Sequence, residues 1–421
     1  MNGPVVAAPR LAPVGAGERI VALDVVRGVA LLGILLMNVE FFSRPIADLE
    51  SGLAAGLHGA DLWVAWFVHV FVRGKFWTMF SLLFGIGFAL MLLRADARGA
   101  PFGGPYLRRT LVLALLGLAH YVLLWAGDIL FSYAMGALLL LVALAAGLRR
   151  MPAARMAKVG LAIYLLPFVL MMVGGANMMV APSQPPSAEQ AQELAQRVQE
   201  HQALVAAEAR VMAGGSHADA VALRLEGLPK FIGIGMAFGV MVAGVFLVGA
   251  WFVRSGAMLD PAAHLPLFRR MAGWGLPVGL GLSVVAALVA TRAVPGRNDA
   301  EFLFASGLAA VAALPASVGY IGAVVLGLHG RARRWLAWFA PAGRMALSNY
   351  LAQSLLGTLF FYGYGLGQWG MGRSGQLVFV LALFGAQMLF SRWWLSRFRF
   401  GPLEWLWRAA TYGRWPPLLY A

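Results

Sequence analysis

Phe76 to Leu93 reads FWTMFSLLFGIGFALMLL, eighteen residues without a single charge. At about 1.5 Å of rise per residue, such a run nearly crosses a bilayer core of about 30 Å. Nine other windows of the chain have the same character. They run from Leu23 to Phe42, Leu107 to Trp125, Ile129 to Leu148, Val159 to Val180 and Phe231 to Val253. Four more follow, from Met271 to Thr291, Phe302 to Leu328, Met345 to Tyr362 and Gln376 to Leu395. The pattern predicts an all-α polytopic membrane protein, a bundle of about ten transmembrane helices. Asp61 to Val72 is expected as a further interfacial or partly inserted element.

Composition supports this. Of 421 residues, 61% are hydrophobic and 12% charged, whereas soluble domains carry roughly 45–50% and about 25%. That surplus of apolar surface needs lipid as its partner. The formal net charge is +15, but the basic residues lie in short clusters between apolar spans, which argues against nucleic-acid binding and for topology. With the N-terminus inside, the inner segments hold 23 of the 33 Lys and Arg and only 5 of the 18 acids. An N-in, C-in protein of an inner (cytoplasmic) membrane type is expected, with the oligomeric state left open and a homodimer among the choices. There are no cysteines and no His-Glu-x-x-His, so no thiolate chemistry and no metal site are expected. A phosphate-binding Walker loop is also missing, which argues against ATP-driven transport by this chain alone.

The expected organisation has five parts. Residues 1–18, rich in Pro, Gly and Ala, read as a disordered cytoplasmic tail without the features of a cleaved signal. Residues 19–180 form an N-terminal helix bundle with the candidate site. Residues 181–230 form an extracytoplasmic loop, in which Ser187 and Gln190 look like a capping box that starts a polar helix reaching Gly214–Gly215. Residues 231–396 form a C-terminal bundle, and residues 397–421 a cytoplasmic interfacial tail whose Glu404 and Arg408 are spaced to pair.

Ionisable and amide groups within lipid are costly and mark either packing or function. Asp24, Arg27 and Asn38 share one stripe of the first span, with Asp24 and Arg27 able to pair and Asn38 about 16 Å further out. His120 ends the third span and Asp128 opens the fourth across a short connection. Asp128 suits a helix N-cap, and it also suits the orientation of an imidazole as general base. Arg109 lies at the inner end of the third span. Asn349 and Gln353 share a face of the ninth span, where hydrogen bonding between helices is the expected role.

Asp24-x-x-Arg27-Gly28 with Asn38, Lys75-Phe76 to Leu83-Phe84-Gly85, and His120 with Gly127-Asp128-Ile129-Leu130 form a recognisable series. Gly343-Arg344-Met345-Ala346-Leu347-x-Asn349-Tyr350 and Gly401-Pro402-x-Glu404-Trp405-Leu406-Trp407-Arg408 continue it. Together they resemble the YeiB-like bacterial membrane proteins, a family catalogued as of unknown function, over nearly all of residues 19 to 413. That family is in turn distantly similar to transmembrane acyltransferases, including the lysosomal heparan glucosaminide acetyltransferase. The second resemblance implies transfer of an acyl group from cytoplasmic acyl-CoA to an extracytoplasmic acceptor, a sugar hydroxyl or amine on a glycan or lipid-linked carrier. It implies a catalytic histidine as well. By position after the first helix that residue would be His58, whereas the YeiB-like pattern contains His120. On this reading His120, Asp128 and Asn38 are catalytic, while Asp24, Arg27 and Arg109 bind the donor. The alternatives are a secondary transporter or cation/proton antiporter using Asp24, Asp128 and His120, and a non-catalytic scaffold or sensor.

Overall fold

A computed structural model describes residues 19–46, 48, 56–180, 187–292 and 299–420. The expected 1–18 tail and the proline-rich start of the long loop lie outside these. The described residues are helical almost throughout. Eight helices are long and apolar enough to cross a membrane, and the chain is a multi-pass membrane protein of all-α class.

Helix α1 (Val21–Ser43) is followed by α2 (Gly59–Phe67), which runs through a wide π-type turn (Val68–Val72) into α3 (Lys75–Ala97). Next come α4 (Gly103–Leu123), α5 (Leu130–Ala145) and α6 (Ala153–Val180). Two extramembranous helices, α7 (Ala188–Gly214) and α8 (His217–Glu226), precede α9 (Leu228–Arg254), α10 (Leu265–Ala290) and α11 (Asp299–Leu328). The rest comprises α12 (Arg333–Ala337), α13 (Ala340–Arg344), α14 (Ala346–Phe361), α15 (Arg373–Leu395) and α16 (Pro402–Tyr412). All ten apolar windows are helical, although α5 and α14 have only 16 residues each.

Burial separates the central helices from the lipid-facing ones. Within their apolar windows, 61% of α3 and α11 is buried inside the protein, against 17% of α6 and 28% of α10 and α15. The exposed Leu166, Leu170 and Val173 of α6 and Val378, Leu381 and Leu389 of α15 would meet acyl chains at no hydrophobic cost. Helix α1 packs on α3, α11, α13, α14 and α15, while α9 packs on α3, α5 and α6. The two halves expected on either side of the long loop therefore interlock in space as one bundle.

Close approach explains two motif glycines. A Cβ on Gly85 would run into the backbone of Phe246 in α9, and one on Gly343 into the carbonyl of Asp24 in α1. Small residues at such crossings let helices associate without a hydrophobic driving force.

The long loop starts as expected. Ser187 Oγ accepts from Gln190 N at 3.2 Å, and Gln190 Oε1 from Ser187 N at 3.0 Å, before a largely exposed α7. Helix α8 then closes the outer end of α4, whose last carbonyls would otherwise lack partners. The Leu123 carbonyl pairs with His217 Nε2 at 2.8 Å and that of Leu124 with the Arg224 guanidinium.

The C-terminal segment is drawn further into the bundle than an interfacial anchor. Helix α16 packs on α4 and α14, and Glu404 is directed at the start of α14. It accepts from Leu347 N at 2.7 Å, Ser348 N at 3.0 Å and Ser348 Oγ at 2.5 Å, as a carboxylate at a helix N-terminus should. Removing it strands those donors, each at about 1–3 kcal/mol when buried. Glu404→Ala is therefore expected to lower the thermal unfolding midpoint in detergent strongly, and Glu404→Gln less so. Equal midpoints for Glu404→Ala and the native chain would contradict the capping role.

Candidate functional site

Three cavities follow one another through the bundle. The innermost is a vestibule of about 180 Å³ between the start of α1, the end of α3, the start of α4, and α16. Arg19, Arg27, Arg94, Arg109, Arg344, Arg399 and Arg408 line it, against Asp24 and Glu404 as the carboxylates among the described residues. Asp24 is engaged by Arg27 at 3.0 Å, and Glu404 by the start of α14. Arg109 stacks over the Trp407 ring at 3.6 Å, while Trp407 Nε1 donates to the Arg109 carbonyl at 2.8 Å. Among the described residues, Nε of Arg344 and Nε of Arg408 are buried without a hydrogen-bond partner. Burial, followed by the neighbouring Arg344, holds the Arg19 guanidinium below its ordinary value, and burial does the same to Arg408. So much desolvated positive charge favours an anion.

The second cavity, also about 180 Å³, continues outward from the same Arg27, Arg109, Arg344 and Arg408. Its wall soon turns apolar, with Leu31, Phe84, Phe88, Leu113 and Ala137, and it reaches Ile34, Ile129 and Tyr350. Those three residues also line the third cavity, about 390 Å³, which contains Asn38, His69, Arg73 and the aromatic rings of Phe41, Trp77, Phe168 and Phe238. Along α1, the stripe Arg27, Leu31, Ile34, Asn38 thus runs from the inner cavity to the outer one, following the i, i+4, i+7 geometry of one helix face.

His120 and Asp128 meet. Nδ1 of His120 lies 2.8 Å from Oδ1 of Asp128, and both side chains are fully buried. Asp128 Oδ2 accepts from Phe131 N at 2.8 Å, so one carboxylate caps α5 and orients the imidazole at once. The local chain enforces this. The N–H groups of Leu124 and Trp125 both return to the His120 carbonyl at 2.9 Å, ending α4 sharply. Gly117 also leaves room for the start of α5, where a Cβ would strike Phe131 N and the Asp128 carboxylate.

In the tautomer whose Nδ1 donates to the carboxylate, Nε2 is the nitrogen that carries the lone pair. It is buried with no partner among the described residues, as is the hydroxyl of Tyr350, whose ring centroid lies 5.2 Å from that of His120. Neither His120 nor Asp128 lines any of the three cavities. Tyr350, which borders two of them, stands against the imidazole.

Arg27 and Arg109 therefore share the inner cavities, Asn38 belongs to the outer one, and the His120–Asp128 pair lies beside their junction. His58 is exposed at the start of α2 and lines none of the three cavities. Asn349 and Gln353 act between helices. Asn349 Nδ2 donates to Ser391 Oγ at 2.9 Å, Gln353 Nε2 to Gln387 Oε1 at 2.9 Å, and Gln387 Nε2 to the Asn349 carbonyl at 3.0 Å. Among the described residues, no three His, Asp or Glu side chains gather as a metal site requires. Sequence reasoning assigned no role to Tyr350 or Arg73. Tyr350 was visible as the end of the Gly343–Tyr350 motif, and Arg73 as a cation in the short connection before Phe76.

Residues 252–414 match the family described as "Protein of unknown function (DUF418)". The chain is 32% identical to the uncharacterized protein YxaH of Bacillus subtilis (strain 168), over 97% of this chain and 98% of that protein. It is 32% identical to the uncharacterized protein YeiB of Escherichia coli (strain K12), over 94% and 96% respectively. A 39.9 kDa protein encoded in the amylase 3' region of Bacillus acidopullulyticus is 27% identical, over 97% and 98%. No solved structure matches the chain.

Proposed function

Because the chain belongs to the YeiB-like family of multi-pass membrane proteins, we propose that it is a transmembrane acyltransferase of the cytoplasmic (inner) membrane. It takes the acyl group from cytoplasmic acyl-CoA and passes it to a hydroxyl or amine on the far side. One observation carries this reading. An arginine vestibule with buried guanidinium nitrogens that have no partner among the described residues shares its arginines with an apolar cavity bordered by Tyr350, whose ring stands against the His120 imidazole.

Arg344 and Arg408, with Arg27 and Arg109, hold the nucleotide phosphates, for which charge-assisted bonds from guanidinium are well suited. The apolar wall of Leu31, Phe84 and Leu113 receives the arm and excludes water. From Arg27 to Asn38, α1 rises about 16 Å, a span for an extended pantetheine arm. Rotation of the Tyr350 ring exposes His120 to the acceptor. His120 Nε2 then takes the proton of the attacking hydroxyl or amine, a C–O or C–N bond forms at the thioester carbon, and the C–S bond breaks. The proton passes on to the departing thiolate. Asp128 keeps the imidazole in the tautomer this requires, and Asn38 donates to the carbonyl oxygen as it gains charge.

Titration calorimetry of the protein in nanodiscs tests the donor half. Acetyl-CoA and longer acyl-CoAs are expected to bind, and Arg408→Ala to weaken binding about tenfold or more, the size of one charge-assisted contact. Absence of binding by any acyl-CoA would refute the proposal.

A further inference from the structure

The outer cavity has its own excess of positive charge at and around its wall, unrelated to the vestibule. Arg73 lines it, and its Nη1 donates to His69 Nδ1 at 3.4 Å. Lys75, 1% exposed, reaches only the His69 carbonyl among the described residues, also at 3.4 Å. Glu40 is the buried carboxylate nearby and is held by Arg44 and Arg373, and Asp48 lies 3.6 Å from Arg44. Arg73 is within electrostatic reach of Glu40, Arg44 and Arg373, but it forms an ion pair with neither carboxylate among the described residues. Among the described residues, four cations thus share two carboxylates, and unmatched charge is costly wherever it is withdrawn from water.

The backbone points the same way. Gly74, at φ +81°, breaks the helical path and lines the cavity. Helix α3 restarts at Lys75 with no side-chain cap. Irregular backbone in a membrane protein is tolerated where it borders a cavity, and an uncapped helix start favours negative charge. The opposite wall is apolar, formed by Phe168, Phe238, Met241, Phe302 and Ala305.

We infer that the outer cavity binds a phosphate group, with Arg73 and the start of α3 as its cradle and the apolar wall as the seat of an attached lipid tail. This deepens the acyltransferase reading by naming the acceptor as a phosphorylated carrier, and it rests on that reading only for the acceptor's role. Arg73 is the binding residue, and Lys75 reinforces the local field.

Equilibrium binding to the full chain in detergent, without any acyl donor, tests it. The probes are a short polyprenyl phosphate, the same alcohol without phosphate, and inorganic phosphate. The polyprenyl phosphate is expected to bind about tenfold or more tighter than the alcohol. Arg73→Gln should abolish that preference, and Arg73→Lys should keep part of it. Inorganic phosphate binding as tightly as the lipid would retain the anion site and assign it to a water-soluble phosphate. Equal binding of alcohol and phosphate by the native chain would overturn the inference, and that comparison decides even if Arg73→Gln fails to fold. No acyl transfer is involved, so a failure here is distinct from a failure of the transferase reading.

Discussion

His120→Ala is expected to lower the rate of acyl transfer by about 10²–10⁴-fold, the contribution of a positioned general base, and to leave acyl-CoA affinity unchanged. The separation follows from geometry. The arginines face the vestibule, whereas His120 lines none of the cavities and reaches the reacting atoms only past Tyr350. Asp128→Asn should cost a comparable factor, because an amide no longer selects the tautomer with a free Nε2. It should also loosen α5, since Asp128 caps the Phe131 N–H. Tyr350→Phe removes only the orphaned hydroxyl, and its effect should be smaller. Initial rates of CoA release, measured with binding isotherms for the same variants, check the prediction. A His120→Ala protein with native rates would remove the imidazole from the chemistry.

The second large effect is structural. At Gly343, a Cβ would meet the Asp24 carbonyl and Gly28 N, and at Gly28 it would meet the Phe339 carbonyl. Helices α1 and α13 therefore touch backbone to backbone just where Asp24 and Arg27 enter the vestibule. Overpacking a close-packed contact typically costs about 1–3 kcal/mol, and more where backbone must move. Gly343→Val should thus prevent accumulation of the folded protein or lower its unfolding midpoint severely. Gly233→Val in α9, where nothing lies within 4 Å of the added Cβ, is the control and should remain close to native. Equal behaviour of the two variants in size-exclusion and thermal-unfolding measurements would contradict the account of this crossing.

The helices were legible because hydropathy reports apolar length directly. Each of the ten windows is helical, and the Ser187 capping box was readable from three residues of spacing. Local juxtapositions were equally readable. Eight residues separate His120 from Asp128, and one helix face carries Arg27 and Asn38. Contacts made across hundreds of residues were hidden. Glu40 and Arg373 pair over a separation of 333 residues, and nothing local to either announces the other. The same holds for Glu404, whose i,i+4 spacing suggested Arg408 but whose carboxylate caps a helix 56 residues or more earlier. The part α16 plays in walling the vestibule was therefore not readable from the tail alone. Asp61 to Val72 was ambiguous for a different reason. Its helix changes pitch at Val68 and stops at Gly74, and hydropathy does not register pitch.

One measurement reaches the central claim directly. In sealed inside-out vesicles containing the protein, acetyl-CoA labelled in its acetyl group is supplied only to the outward-turned cytoplasmic face. The label should appear on an acceptor inside the lumen, with stoichiometric release of free CoA outside, and His120→Ala vesicles should show neither. Label confined to the outer face, or a proton flux in these vesicles with no CoA released, would contradict transfer across the membrane.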